Sequence, residues 1–588
     1  MDSSEKFDTY RLFSVKVPLS KDPGKEIITH HPELLKYLTK FLSKMAKGIT
    51  INESNVEVVR KSFDGRWKRG KINEPSFVYT LDVKIPSKLK IKDVSGKIEK
   101  LVKMNSSSTT KNINTDISII ESIKKKKKVV IVGFGPAGLF AAHTLSMHDK
   151  DCEIIVVERG RPVESRGRDI GALFHRKILN EESNLCFGEG GAGTWSDGKL
   201  TTRIGKNSED VRYVLNTLVT FGAPERILID GKPHLGTDRL VRILSSAREA
   251  LKEEGVKFLF GTRVDDIILN SQGKATGVTI SDGEHITDCD AVILAVGHSA
   301  RNIYESLEKL DVEMTPKAIA CGFRIEHPQE LINEIQYGPV FGKLPDRGKG
   351  PVPVADYRLV AQVPSENRAC YSFCMCPGGQ VVPTSVNKEE LSVNGMSFSK
   401  RQSKWANSGL VVTIESEDYL QFLADEDAMP SSQLENSPLI GIEWQRHIER
   451  KASVLGGGNL VAPVQRITDF MKDHYDSEDP RVLPTSSYRL GVKNAPCHTI
   501  YPLTVTNSLK DALQAFNKKL PGFICDEGLL HGVESRTSAP VQITRDSETL
   551  ESVNTPHLYP AGEGAGYAGG IVSAAVDGLK IAYSILNS

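Results

Sequence analysis

The segment Val129-Val-Ile-Val-Gly133-Phe-Gly135-Pro-Ala-Gly138-Leu-Phe-Ala-Ala, followed by Ile154-Ile-Val-Val-Glu158, constrains this chain more than any other. A run of four β-branched residues predicts a strand buried on both faces. Three glycines follow at the spacing of a tight strand-to-helix turn. Gly133 makes the turn, Gly135 lets backbone approach a pyrophosphate, and Gly138 lets helix and strand pack closely. Pro136 and Ala137 open the helix, whose free N–H groups would face phosphate oxygens. Glu158 closes the second strand, where a carboxylate accepts hydrogen bonds from both hydroxyls of a ribose and repels a 2′-phosphate. With Arg159 beside it, the unit reads as a βαβ dinucleotide site for FAD or NAD rather than NADP.

At 588 residues the chain is long enough for several cores. No apolar run approaches the roughly 20 residues that a membrane span needs, so no membrane partner is expected. The start, Met1-Asp-Ser-Ser-Glu-Lys-Phe-Asp, has neither the apolar core nor the arginine-rich character of a targeting peptide. Nine scattered cysteines suit a reducing compartment, and the expected location is cytoplasmic. The formal net charge of +1 hides an asymmetry: residues 1–128 hold 28 Lys+Arg against 15 Asp+Glu, the remainder 47 against 59. The basic part therefore reads as a separate unit, either docked on the acidic remainder or turned toward an external anion such as a nucleic acid.

Along residues 1–103, strand-like alternation at 10–17, helical spacing from Pro32 to Lys47, and further strand patterns at 56–59 and 77–83 suggest a small ferredoxin-like domain. Residues 104–128, rich in Ser, Thr and Asn and ending in five lysines, read as a linker. After Glu158 the regular alternation stops. A glycine-rich run, Phe187-Gly-Glu-Gly-Gly-Ala-Gly-Thr-Trp-Ser196-Asp-Gly-Lys199-Leu, gives way to a helix at about 237–254 and a hairpin at 267–280. Then comes a buried strand, Ala291-Val-Ile-Leu-Ala-Val-Gly297-His298. The segment Pro556-His-Leu-Tyr-Pro-Ala-Gly562-Glu563, continuing through Gly569, Gly570 and Ile571, returns as strand, glycine turn and helix.

A nucleotide domain split between residues 129, 291 and 556 is the arrangement of large flavoproteins, so the expected cofactor is FAD. The glycines at 562, 569 and 570 let backbone come close to an extended cofactor. Glu563 can bond its ribityl or phosphate region through a water or hydroxyl. The helix beginning near Gly570 would point its positive end at the flavin N1/O2 edge, worth up to roughly 2 kcal/mol to a reduced, anionic flavin.

Several longer motifs carry a resemblance: Cys186-Phe-Gly-Glu-Gly-Gly-Ala-Gly-Thr-Trp-Ser-Asp-Gly-Lys-Leu, His234-Leu-Gly-Thr-Asp-Arg-Leu, Phe373-Cys-Met-Cys-Pro-Gly-Gly, Val393-Asn-Gly-Met-Ser, and Gly532-Val-Glu-Ser-Arg-Thr-Ser-Ala-Pro-Val. With the C-terminal segment, they make the chain resemble the FAD-dependent oxidoreductases of the glutathione-reductase-like superfamily. The likeness is strongest to the uncharacterised FAD-dependent dehydrogenases common in bacteria. The resemblance implies a backbone contact from Val264 to adenine, with Ala295, Gly297 and His298 flanking the adenosine side. It also implies that the run carrying Gly190, Gly191, Thr194, Ser196 and Gly198 lies along pyrophosphate and flavin. The expected fold is α/β: a split Rossmann-like FAD-binding domain at 129–313 and 504–588, an antiparallel β-rich substrate domain at 314–503, and the N-terminal α+β domain.

For chemistry, Gly193-Thr-Trp-Ser-Asp-Gly198-Lys199-Leu200 nearly spells a P-loop, but Leu200 stands where a hydroxyl should hold magnesium. Asp197 and Lys199 read instead as flavin-lining catalytic candidates, Lys199 stabilising negative charge on reduction. Arg536 is the third candidate, docking an anionic substrate or the flavin O2/N3 edge; an internal salt bridge with Glu534 is its alternative. Cys374 and Cys376, on one face of a regular strand, read as packing residues beside the Pro377-Gly-Gly turn. No HExxH or CxxC pair is present, and no metal is expected. The expected function is hydride or electron-pair transfer through flavin N5 to or from a small molecule, with NAD(P)H as a transient reductant. A flavin-dependent RNA-modifying enzyme using residues 1–128, or a FAD-binding redox sensor, stands as the alternative.

Overall fold

The computed structural model describes residues 6–44, 51–67, 74–89, 91, 96–101, 126–205, 208–363, 367–425 and 437–588. The chain forms two compact units. One comprises Met1–Lys126 with Glu225–Pro233 and Gly350–Pro353; the other comprises Lys127–Pro224, His234–Lys349 and Val354–Ser588.

The larger unit is mixed α/β. Its parallel sheet runs in the order Leu558–Pro560, Ala291–Leu294, Lys128–Val132, Glu153–Glu158, Lys257–Phe260. Strands buried on both faces need apolar residues throughout, which is why Val129–Val132 and Ala291–Leu294 show no alternation. The helix Pro136–His148 follows the first strand, and the helix Ile571–Asn587 packs against it so closely that a Cβ at Gly578 would lie 2.0 Å from the Ala137 carbonyl oxygen. That approach brings the C-terminal glycine segment beside the first turn.

A second sheet, of eight strands, is antiparallel apart from one parallel pair. Its order is Val360–Val363, Arg368–Pro383, Trp405–Ile414, Ile319–Pro328, Leu529–Glu534, Ala462–Arg466, Val492–Asn494, with Val393–Met396 paired to Arg368–Pro383. Its fifth strand, Leu529–Glu534, lies beyond the expected boundary at 503. Strand pairing, a long-range property, carries this β-rich layer some thirty residues further. At its centre Arg324 and Glu534 form a fully buried ion pair at 3.0 Å.

The smaller unit holds a four-stranded antiparallel sheet in the order Val56–Asp64, Ser76–Pro86, Phe7–Pro18, Ile98–Leu101. Alternation along Ser76–Pro86 turns Phe77, Tyr79, Leu81, Val83 and Ile85 inward. They meet Leu34, Leu38 and Leu42, spaced four apart on the helix Pro32–Ser43. This is the strand order of a ferredoxin-like sheet; the second helix of that fold would fall between the last two strands, partly outside the described residues. The expected linker at 104–128 lies outside them too, except for Lys126 to Lys128. The later segment Glu225–Pro233 joins this unit through Arg226, which donates to Glu26 at 2.8 Å and to the Lys25 carbonyl at 3.0 Å.

Beneath the sheet, the buried Lys61 ammonium donates to Asp22 at 2.9 Å and to the carbonyls of Gly24 and Ile27 at 2.7 and 2.8 Å. Tyr79 donates to the other Asp22 oxygen, and the Lys61 ammonium lies 4.2 Å from the Phe77 ring centre. Removing one partner of such a pair leaves a buried charge uncompensated. Asp22→Asn should therefore destabilise this unit by about 3–5 kcal/mol, read as a lowered denaturant midpoint in the full chain.

Candidate active site

Strand order along the parallel sheet reverses between Lys128–Val132 and Ala291–Leu294. In open α/β sheets that reversal leaves a crevice at the carboxyl ends of the two strands, because their connections depart to opposite sides. A cavity of about 450 Å³ opens there, walled by the turn after each strand, the glycine-rich run, and the segments around Phe373, Arg536 and Gly562.

The three glycines of the first turn do different work. Gly133 has φ +97°, and a Cβ on it would stand 2.5 Å from the Ala295 carbonyl oxygen. At Gly138 a Cβ would stand 2.1 Å from the Gly133 carbonyl oxygen. Gly135 is different: the nearest atom to its Cβ position is the Gly191 Cα at 4.0 Å, so a side chain there would enter the cavity. The helix that starts at Pro136 has no side-chain cap, leaving its first N–H groups to this space.

Besides Gly133 and Gly135, the wall contains Pro136, Ala137, Glu158, Arg159, Gly191, Ser196, Gly198, Val264, Ala295, Gly297, His298, Gly562, Glu563, Gly569, Gly570 and Ile571, together with Asp197, Lys199 and Arg536. Three expected cofactor contacts stand behind it. Gly138 is taken up by the helix-to-turn approach just described. Gly190 faces Leu244 and Thr194, either of which a Cβ would meet at 2.2 Å. Thr194 is buried and donates to the Glu189 carbonyl at 3.1 Å.

Glu158 is more occupied than its expected ribose role implies. Its carboxylate accepts from the backbone amides of Phe134 at 2.8 Å, Gly160 at 2.9 Å and Gly188 at 3.0 Å. A carboxylate offers about four lone-pair directions, so one remains for a ligand hydroxyl rather than two. Arg159 is held by Glu182, at 2.5 Å from Nε, and lies 4.1 Å over the Phe187 ring. Sequence reasoning missed the residue that organises the glycine-rich run. Arg166, fully buried, donates to the carbonyls of Asn184, Leu185, Gly188, Glu189 and Gly191 at 2.7–3.1 Å. The signal was present, because Arg166 shares the buried stripe of Val163, Ile170 and Leu173 on its helix.

Asp197 is fully buried between cations. Arg401 donates to it at 3.0 Å from Nε, the Lys199 ammonium lies 3.1 Å away, and the Ser397 hydroxyl also donates. Burial alone would raise the Asp197 carboxyl, but Arg401 and Lys199 outweigh it and hold the group well below the usual carboxylate range. Burial likewise opposes the charge on Lys199, and Asp197 overcomes it, so the ammonium stays charged across the physiological range. Lys199 also donates to the Met375 carbonyl. His234 nearby is driven down to about 3 by burial and Arg401, and is neutral at pH 7.

Arg536 has a different partner from the expected Glu534, which belongs to Arg324. Its guanidinium makes a two-pronged bond to Glu449 at 2.8 and 2.7 Å, and Arg301 shares the same carboxylate at 3.1 Å. Glu449 sits on the buried face of the helix Ile440–Gly456, again a charge within an apolar stripe. Burial, with Arg536 and Arg301, lowers His298 to about 4. Glu563 moves the other way: burial first, then the Cys374 sulfur, raise it to about 8 against the pull of Lys317.

Residues 318–537 match the family model described as FAD-dependent protein, C-terminal domain-like. The class is thus that of FAD-dependent proteins, and FAD is the cofactor. An uncharacterized protein of Clostridium beijerinckii is 40% identical over 558 residues, covering 94% of this chain and 96% of its own length, and the chain belongs to its family. Among solved structures, a geranylgeranyl bacteriochlorophyll reductase-like protein of Thermoplasma acidophilum is 12% identical with TM-score 0.32, covering 78% of this chain and 77% of its own. CtdE in complex with FAD is 12% identical with TM-score 0.28, covering 78% and 84%.

Two outcomes follow from this geometry. Gly135→Leu should fold, since a Cβ there meets no protein atom closer than 4.0 Å, yet lose FAD; Gly133→Leu should fail at folding itself. Absorbance at the flavin band together with thermal unfolding separates the two. For Glu563, the folded protein keeps a proton that the unfolded chain releases between pH about 4.5 and about 8. Stability of the cofactor-free protein should therefore fall as pH rises through that window, and Glu563→Gln should flatten the fall in Tm.

Proposed function

We propose that the protein is a FAD-dependent oxidoreductase that moves hydride or an electron pair through flavin N5 to or from a small molecule. The observation that carries this reading is the clear space above Gly135 at an uncapped helix N-terminus, at the reversal point of a parallel sheet. When bound there, FAD supplies the two-electron chemistry, and the chain supplies orientation, exclusion of water and electrostatics.

In this reading the parallel sheet is a split Rossmann-like domain. The open first turn of the helix at Pro136 and Ala137 holds the pyrophosphate, and Glu158 uses its remaining lone pair on one ribose hydroxyl. Val264 and the turn from Ala295 to His298 flank the adenosine. The Ile571 helix, opened by Gly570 with no side-chain cap, turns its positive end to the flavin. Lys199 provides a fixed positive charge in the wall, suited to an anionic substrate or to negative charge gained on reduction. Arg536, already neutralised by Glu449, acts as an oriented donor rather than as a free anion receptor.

Among the described residues there is one parallel sheet of more than two strands, so NAD(P)H would reach the flavin through the substrate side. The purified protein should carry about one noncovalent FAD per chain. Anaerobic mixing with NADH, NADPH and a panel of small metabolites should bleach the flavin band with at least one of them. Protein that takes up no FAD, or a flavin that no reductant in the panel reduces, would count against the reading.

A further inference from the structure

The strand Arg368–Pro383 does not run regularly through Cys374. Its pairing with Trp405–Ile414 skips from Phe373 to Cys376, and Cys374 has φ +44°, a left-handed value rare for a residue with a side chain. Bulges of this kind re-aim a side chain beside a functional site. Here the irregularity places Phe373 and Cys374 in the wall of the FAD cavity, while Cys376 is fully buried behind. Simple alternation would have left both on one face.

The two residues stay linked across the bulge, the Cys376 thiol donating to the Cys374 carbonyl at 3.2 Å. Arg324 braces the pair from behind, donating to the Cys374 carbonyl at 2.8 Å and to the Cys376 sulfur at 3.3 Å. Cys374 lines the same cavity as Lys199 and Glu563, close enough for its charge to act on both. The neighbouring Cys376 thiol first, then Lys199 and Arg324, pull the Cys374 thiol below its ordinary value despite its burial, which favours the thiolate. All nine cysteines are free in this structure.

We propose that Cys374 and Cys376 are a redox-active dithiol of the FAD cavity, Cys374 presenting its sulfur to the bound cofactor and Cys376 serving as the resolving sulfur. This rests on the reading of the cavity as the FAD site. As the S–S bond forms, the Cys374 thiolate and the Cys376 thiol give up two electrons and one proton. The electron pair and a proton pass to the oxidised flavin. The fully reduced site then stores two electron pairs, one on sulfur and one on FAD. The single-residue spacer closes a small ring, so strain favours return of the electron pair from reduced flavin to the disulfide, with the proton restored to Cys376.

The test uses the FAD-loaded full chain with Cys374→Ser and Cys376→Ser, each first checked for unchanged FAD content. Anaerobic dithionite titration of the air-oxidised protein should consume four electrons per FAD in the natural chain and two in either variant. Thiol counting after denaturation should give nine in the reduced natural protein and seven after oxidation, with peptide mapping placing the missing two at 374 and 376. The count does not depend on bound FAD, so an unformed flavin site and an inactive thiol pair give separable results. Two electrons per FAD in the natural chain with nine thiols in both states would overturn the proposal. So would a long-wavelength thiolate–flavin absorbance band without any disulfide, which would leave Cys374 as a contact and nothing more.

Discussion

Two ionised side chains of opposite sign hold together the stretch from which much of the cavity is made. Residues 184–191 have almost no regular structure, and backbone groups buried without partners each cost about 1–3 kcal/mol. Glu158 collects amides, from Phe134, Gly160 and Gly188. Arg166 collects carbonyls, from Asn184 to Gly191. The two charges also attract one another. One acid at a strand end and one base on a helix thus replace the ladder of hydrogen bonds that a helix or sheet would have provided. Their side chains fix where Gly191, Ser196 and Lys199 stand.

Buried charge recurs wherever distant segments meet in this unit. Asp197 meets Arg401, Arg536 and Arg301 meet Glu449, and Arg324 meets Glu534. Such pairs contribute little net stability, because desolvation offsets most of the attraction, but mispairing leaves an uncompensated charge. They act here as registration marks. Each joins residues 87 to 210 apart in the chain, and each stands in or directly behind the cavity wall.

Local chemistry was legible in the sequence, and long-range pairing was not. The turn from Gly133 to Gly138 could be read because its glycine spacing between strand and helix is a local pattern, even though the Ala295 carbonyl that also requires Gly133 comes from far along the chain, and the Gly562 to Ile571 segment could be read from the same kind of pattern. Gly190 and Thr194 sit in an equally glycine-rich context, yet their neighbours come from Leu244 and Arg166, which no local pattern announces. Glu534 was the nearest acid to Arg536 in the chain, whereas the actual partner lies 87 residues away. The β-rich layer continues past residue 503 for the same reason, since Leu529–Glu534 has its partners at 319–328 and 462–466. A bulge at Cys374 is equally invisible, because alternation assumes a regular strand.

The close fit of the Ile571–Asn587 helix on Pro136–His148 has a consequence in time. The first glycine turn and the segment that completes its cavity are separated by more than 400 residues. At synthesis rates of about 5–20 residues per second, the turn waits on the order of 20–90 s on the ribosome before its partner exists. Throughout that interval the apolar face that Gly578 later covers is open. The nascent chain therefore carries this uncovered face for longer than a contiguous nucleotide domain would, and the cavity is complete only once the Ile571–Asn587 helix has emerged.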